Sequence, residues 1–176
     1  MRTLLDKGLL LFLICLTSFV SGQIILPQFE KPELLDSLND NAEEAMPLPF
    51  NNGNSLYFVK TYVEGNLKQR TQSQDVYTTH RVDGEWQAPK NNFDEINDWG
   101  NNAVIGVSED GNRVYIFNSI QSRRKLSRGI AFIEKEEDGS WGKLQKLEVE
   151  GLEIGQGYYS FYINPSETTL MISMAP

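Results

Sequence analysis

The sequence predicts an all-β protein built from repeated units of four short strands. Short runs rich in apolar and β-branched residues follow one another, and no stretch after residue 22 has the periodicity of an amphipathic helix. Asp-Gly pairs stand between such runs at positions 83, 110 and 138, where they favour tight hairpin turns. In addition, several of these runs and turns recur at a nearly constant spacing.

The repeat is clearest in two sets of residues. Asp83–Trp86 (DGEW) recurs as Asp138–Trp141 (DGSW), at an offset of 55 residues. The apolar run 56–59 (LYFV) recurs at 114–117 (VYIF) and again at 170–173 (LMIS), at offsets of 58 and 56 residues. A period of this length built from short strands is typical of a β-propeller, in which each repeat forms one four-stranded blade.

We therefore predict an incomplete β-propeller of about two and a half four-stranded blades. The blades are predicted at residues 47–102, 103–157 and, in part, 158–176. Within the second blade, strands are predicted at Ala103–Ser108, Arg113–Ser119, Gly129–Lys135 and Trp141–Leu147. Because closed propellers have roughly four to eight blades, we expect a piece of a longer array. The alternative is a partial array that closes by self-association.

Residues 1–22 have the features of a cleaved signal peptide. Basic residues precede an unbroken apolar run, Leu9–Leu16, and small residues around Gly22 suit cleavage. The apolar stretch is shorter than the roughly 18 residues that a transmembrane helix needs. We therefore expect an exported chain with no transmembrane segment after cleavage. Residues 23–46 are polar and acidic and are expected to form a leader or linker.

Cysteine and histidine usage excludes several functional classes. The only cysteine, Cys15, lies in the predicted signal peptide, so we expect no disulfide framework, zinc–cysteine site or thiol nucleophile. The only histidine, His80, excludes a site with several histidine ligands and is expected on the surface of a strand. A net charge of −8 argues against nucleic-acid binding. We expect no metal and no other cofactor.

Carboxylate pairs are the remaining route to catalysis, because glycosidases use two acids. The local clusters are Asp94, Glu95 and Asp98, and Glu148 with Glu150. Both clusters fall in connections between predicted blades, where acidic residues are typical of solvated surface. No catalytic residue is therefore predicted. A fragment of a carbohydrate-active propeller enzyme, with its acids in other blades, stays open as the alternative.

Four motifs follow one another along the chain: Ser55–Val59 (SLYFV), Gln74–Tyr77 (QDVY), Asp83–Trp86 (DGEW) and Ser108–Gly111 (SEDG). Together they resemble the WD40-like propeller repeats of exported OmpA-family proteins of Bacteroidetes-type envelopes. The resemblance covers about residues 43–176. It implies a non-catalytic scaffold or recognition module in the periplasm or at the outer membrane. The chain departs from the family pattern at 51–54 and 164–166, and the family's peptidoglycan-binding domain has no counterpart in it.

Two long connections between predicted second and third strands are basic. Lys60–Gln74 carries a net charge of +2, and Ser119–Arg128 carries +4. Equivalent connections of successive blades project from one face, so we predict that this face binds an anionic partner, either an envelope protein or an anionic envelope polymer. Trp86 and Trp141 repeat and are expected to pack between blades, whereas Trp99 does not repeat. The predicted partner-binding residues are Arg70, Trp99, Arg123, Arg124, Lys125 and Arg128.

Overall fold

The computed structural model describes residues 29, 31–32, 34–66, 74–91, 95–97, 100–122, 125–154 and 158–174, and for 118–122 and 125–128 it describes the backbone alone. The described residues form ten strands and no helix, which confirms the predicted all-β class. The chain divides into two compact units, Met1–Glu33 and Leu34–Pro176, and all ten strands belong to the second unit.

The strands form three antiparallel sheets in which neighbouring strands follow chain order. The first sheet has the order β1-β2-β3-β4, the second β5-β6-β7-β8, and the third contains β9 and β10. The strands are β1 (Glu43–Phe50), β2 (Ser55–Thr61), β3 (Asp75–Val82), β4 (Glu85–Trp86), β5 (Ala103–Val107), β6 (Arg113–Ser122), β7 (Lys125–Glu134), β8 (Gln145–Leu147), β9 (Tyr159–Ile163) and β10 (Leu170–Met174).

The predicted Asp-Gly turns connect strands as the sequence indicates. Asp83 and Gly84 have φ values of 51° and 86° and join β3 to β4 directly, since Val82 pairs with Glu85. A two-residue connection with both residues in the left-handed region is the turn that best matches the twist of two antiparallel strands. Gly111 also has a positive φ, of 71°, between β5 and β6.

Two features differ from the sequence prediction. β1 begins at Glu43, so part of the expected linker is a strand that pairs with β2, as Glu43 does with Thr61. Upstream of β1, Leu38 is buried. The second difference is that β6 and β7 extend through most of the connection expected between Ser119 and Arg128. Antiparallel pairing uses backbone groups, which every residue carries, so a polar segment that suggested a loop can form a ladder.

The first strands of the three sheets run in the same direction and lie side by side. β5 contacts both β1 and β9. The residues that end these strands, Phe50, Val107 and Ile163, line one cavity of about 630 Å³. We call this cavity the strand-end groove. It marks one end of the sheets, and the connections β2–β3 and β6–β7 lie at the other end.

β5 is buried along its whole length and contributes to both hydrophobic cores. Ala103, Val104 and Val107 belong to the core shared with the first sheet, whereas Ile105 belongs to the core shared with the third sheet. Side chains alternate along a strand, so both faces of β5 must be apolar. This requirement explains the uninterrupted apolar sequence AVIGV.

An ionic contact joins the third sheet to the second. The Arg113 guanidinium donates from Nε to Glu134 Oε1 at 2.8 Å and from Nη1 to Glu167 Oε1 at 2.9 Å. The Tyr115 hydroxyl donates to the same Glu167 oxygen at 2.7 Å. Since Glu167 lies in the turn between β9 and β10, these bonds attach that turn to β6 and β7.

Gly106 allows β9 to approach β5 closely. A Cβ atom on Gly106 would lie 2.7 Å from the Ile163 carbonyl oxygen and 2.8 Å from Ile163 Cβ. Both distances are far shorter than van der Waals contact, and one of the atoms belongs to the backbone. Gly106 is therefore required for the packing of the third sheet against the second.

We predict that Gly106→Ala destabilises the fold by about 1–3 kcal/mol, because β9 must move to admit the methyl group. The matched control is Gly65→Ala, whose Cβ would meet its nearest atoms, Tyr77 Oη and Val63 Cγ1, at 3.5 and 3.7 Å. That change should alter stability by no more than about 0.5 kcal/mol. Urea unfolding of both variants measures the difference, and equal stabilities would contradict the proposed role of Gly106.

Candidate functional site

The candidate site is the end of the second sheet at which β6 turns into β7. β6 and β7 have ten residues each, and their pairing continues to Ser122 and Lys125. β5 pairs with β6 only up to Phe117, and β8 pairs with β7 only from Ile130. The two strands therefore continue past both neighbours. We call the paired residues 118–122 and 125–129 of this extension the basic ribbon.

The structure places only part of the predicted partner-binding set. On β7, Lys125 pairs with Ser122 and Arg128 pairs with Ser119, so both lie on the basic ribbon. The other predicted partner-binding residues lie outside the described residues: Arg70, Trp99, Arg123 and Arg124. In the sequence, Arg123 and Arg124 join the paired residues Ser122 and Lys125.

The positive charge at this end belongs to the ribbon and not to the surface around it. The connections β4–β5 and β8–β9 also lie at this end, because each leads into the start of a first strand. They carry exposed acidic residues, among them Glu95, Glu148 and Glu150.

Lys60 is not part of a basic surface, and its inclusion in the predicted basic connection is wrong. It lies in β2 and is 5% exposed. Its Nζ is 2.5 Å from Asp40 Oδ2 and 3.5 Å from Glu44 Oε1. A buried ammonium requires a counter-charge, and these two carboxylates from the chain before and within β1 supply it.

The ion pair also determines the protonation of Asp40. The hydrogen bond from Lys60 and a second one from the Ala42 amide, at 2.7 Å, lower the pKa of the Asp40 carboxyl below its ordinary value. The charged carboxylate is thus favoured in the folded state. The contact fastens the segment before β1 to the end of β2.

Hydrogen bonds fix the chain where it leaves β2. The Asn66 side chain donates to the Lys60 carbonyl oxygen at 3.1 Å and accepts from the Tyr77 hydroxyl at 3.0 Å. Burial raises the pKa of Tyr77, which keeps its hydroxyl a donor. The connection that carries Arg70 therefore begins from a rigid base.

The outer edge of β3 is covered by the chain that follows β4. Asn97 accepts from the Val76 amide at 2.7 Å and donates to the Val76 carbonyl at 2.9 Å, as a neighbouring strand would. Asn91 donates to the buried Asp75 carboxylate at 2.7 Å. Asp75, the aspartate of the QDVY motif, thus holds the connection between the first and second sheets in place.

The repeated aspartates of the turns have structural partners. Asp110 Oδ1 accepts from the Ser108 hydroxyl at 2.6 Å, and Asp138 Oδ1 accepts from the Ser140 hydroxyl at 2.6 Å. These bonds lower the pKa of both carboxyl groups. A carboxyl group that donates a proton in catalysis needs a raised pKa, and these two have lowered ones. Their hydrogen bonds instead stabilise the turns in which they lie.

Of the other residues considered for chemistry, Asp94 and Asp98 lie outside the described residues. His80 is exposed on β3, as expected. Glu148 is exposed and accepts from the Lys146 ammonium at 2.6 Å. Within the described ranges, no group of three or more His, Cys, Asp or Glu residues could hold a metal ion.

The repeated tryptophans are half-buried within their sheets. The Arg81 guanidinium lies 4.7 Å from the Trp86 ring, and the Lys135 ammonium lies 5.3 Å from the Trp141 ring. Trp141 also packs against the core between the first and second sheets. Both rings therefore contribute to packing.

Comparisons with protein-family models, with curated proteins and with solved structures found no match to this chain. Among the residues that the structure describes, no helix is long and apolar enough to cross a membrane.

We predict that Asp40→Asn lowers the stability at pH 7 by about 0.5–1.5 kcal/mol, because it removes one charged partner of the buried Lys60, although Asp40 is itself half-exposed and Glu44 remains. A carboxyl group whose pKa is lower in the folded than in the unfolded state stabilises the fold at pH values above its ordinary pKa of 3.8. This stabilisation is lost as the pH falls through the lower pKa of the folded state. The difference in the free energy of unfolding between the variant and the unchanged chain should therefore decrease below about pH 4. Urea unfolding at several pH values tests this.

The exposed Asp36, changed to Asn, is the control and should show little effect at any pH. A stability difference for Asp40→Asn that stays constant from neutral pH to about pH 2 would contradict the role of its charge.

Proposed function

We propose that the chain is a non-catalytic recognition module of the exported β-propeller type that acts as a scaffold in the bacterial cell envelope. The observation that supports it best is the arrangement of the three sheets. Two have four antiparallel strands in chain order, and the first strands β1, β5 and β9 lie side by side. Propeller blades have this strand order, with their first strands around the axis.

On this proposal, β9 and β10 are the start of a third blade. They follow the second sheet as the second follows the first, and β9 takes the position beside β5 that β5 takes beside β1. Phe161 and Ile163 of β9 fill the core next to Ile105. This repeated packing supports about two and a half blades.

The basic ribbon is the proposed binding element. A paired ribbon holds its residues in a defined register, and its extension past β5 and β8 makes it accessible to a large partner. Charges in water interact strongly only within a Debye length, about 8 Å at physiological ionic strength. Concentrating four basic residues at 123–128 therefore favours an anionic partner that approaches the ribbon directly.

The chemistry of that partner is a dense array of negative groups. Lys125, Arg128 and the two arginines between the ribbon strands suit carboxylates or phosphates, and arginine binds both in a bidentate manner. An acidic envelope protein or an anionic envelope polymer presents such groups.

We predict that Arg123→Glu combined with Arg124→Glu weakens binding to poly-L-glutamate and to polyphosphate at least about tenfold, because repulsion replaces attraction. Affinity should also fall with increasing salt for the unchanged chain and much less for the variant. Isothermal titration calorimetry with the two polymers measures both effects, and a preference between them separates carboxylate from phosphate recognition.

The matched control is Lys135→Glu combined with Lys143→Glu, which changes the net charge equally but lies toward the strand-end groove. Binding should be nearly unchanged in this variant. Equal weakening in both double variants would attribute binding to net charge alone, and absence of binding by the unchanged chain would refute the proposed function.

A further inference from the structure

β10 has an unusual environment for a second strand. β2, the second strand of the first sheet, is buried at six of its seven residues. In β10, by contrast, four of five residues are exposed. Among the described residues, no strand pairs with the outer edge of β10.

The exposed side chains around β10 are large and apolar. Half of the large hydrophobic side chains that are exposed in the described residues belong to Tyr158, Tyr162, Met171, Ile172 and Met174. Residues 158–163 and 169–174 contain no charged residue, although 23% of the chain is charged. Exposed edge strands in soluble proteins usually carry charges that prevent pairing with other chains, and β10 lacks them.

The register of the third sheet shows which backbone groups face outward. The Asn164 amide donates to the Thr169 carbonyl, which makes these residues a hydrogen-bonded pair. Hydrogen-bonded and non-hydrogen-bonded pairs alternate along an antiparallel ladder. In β10 the amides and carbonyls of Leu170, Ile172 and Met174 therefore point away from β9, toward the open edge.

A cleft lies beside this edge. It has a volume of about 470 Å³ and is lined by Ile172 and Met174 of β10 and by residues 149–152 of the connection before β9. Val149 and Leu152 contribute apolar side chains to it. Any strand added to β10 would place every second side chain over this cleft.

We propose that β10 pairs antiparallel with β10 of a second copy of this chain, about a twofold axis through Ile172. The result is a continuous four-stranded sheet across the dimer. In this register Ile172 lies opposite the partner's Ile172, and Leu170 lies opposite the partner's Met174. All three residues with outward-facing backbone groups then pair.

A second copy suits the edge better than a charged partner for two reasons. Facing residues of an antiparallel pair lie on the same side of the sheet, so Leu170 and Ile172 of the second strand would cover the cleft next to Val149 and Leu152. The strands β9 and β10, which carry no charged residue, are also where two molecules of net charge −8 repel least. A twofold pairing uses both open edges and closes the assembly at a dimer.

The experiment is analytical ultracentrifugation over a wide range of concentrations. It uses the full chain as purified, whether or not the expressing cell has removed residues 1–22. The unchanged chain should show a dimer that dissociates on dilution. Ile172→Lys should raise the dimer dissociation constant at least about tenfold, because two ammonium groups would face each other across the axis.

The matched control is Val82→Lys, since Val82 is 46% exposed and Ile172 is 41% exposed. Val82 lies at the end of β3, and its change should leave the dimer intact. Ile172→Pro removes only an outward-facing amide, so it should abolish pairing with the partner while β9 and β10 stay paired. Loss of assembly in the Ile172 variants, with retention in Val82→Lys, supports the proposal.

Hydrogen exchange provides a readout that does not require any variant to fold. The Ile172 amide of the unchanged chain should be protected at high concentration and should exchange faster on dilution. A monomer at all concentrations, an assembly that Ile172→Lys leaves unchanged, or protection of this amide that does not depend on concentration would each overturn the proposal. The last result would mean that another part of the chain covers the edge.

Discussion

The burial of β5 on both faces is the constraint on which the rest of the described structure depends. One face of this strand meets the first sheet, and the other meets the third. A five-residue strand has few side chains with which to fill two cores, so each position is restricted. Close packing is needed because interiors that lack it lose both dispersion contacts and apolar burial. The same close packing restricts position 106 to glycine, since Ile163 occupies the space that a side chain would take.

Polar side chains complete the sheets where strand pairing stops. β4 pairs with β3 at Arg81 and Val82, whereas β2 pairs along the other edge of β3, so the start of β3 has no neighbouring strand on its outer edge. Backbone atoms of Lys90 pair with Thr78, and the Asn97 amide pairs with Val76, so the buried edge keeps its hydrogen bonds. Leaving buried backbone groups without partners is costly. The Asn-rich connection therefore closes an edge that would otherwise be open.

Much of the fold could be predicted from the sequence because it depends on local patterns. The Asp-Gly turns and the runs of apolar and β-branched residues indicated the strands of the second sheet within a few residues. The candidate site was harder to predict. Ser119–Arg128 is polar and basic like a loop, and its pairing depends on backbone hydrogen bonds that leave no apolar pattern. Lys60 resembled a surface residue because its partner, Asp40, is distant in sequence and meets it only after β1 and β2 pair.

The two junctions between the sheets differ in their chemistry. The first and second sheets are joined by apolar side chains around β5, whereas the third sheet is also attached through Arg113 and Glu167, both partly exposed. Dissolved salt screens ionic attraction at the surface and barely affects, or even strengthens, apolar burial. Ionic strength therefore acts on one contact of the third sheet, by no more than about 1 kcal/mol for a partly exposed pair. The apolar packing of Phe161 and Ile163 against Ile105 holds the third sheet on β5 at any salt concentration.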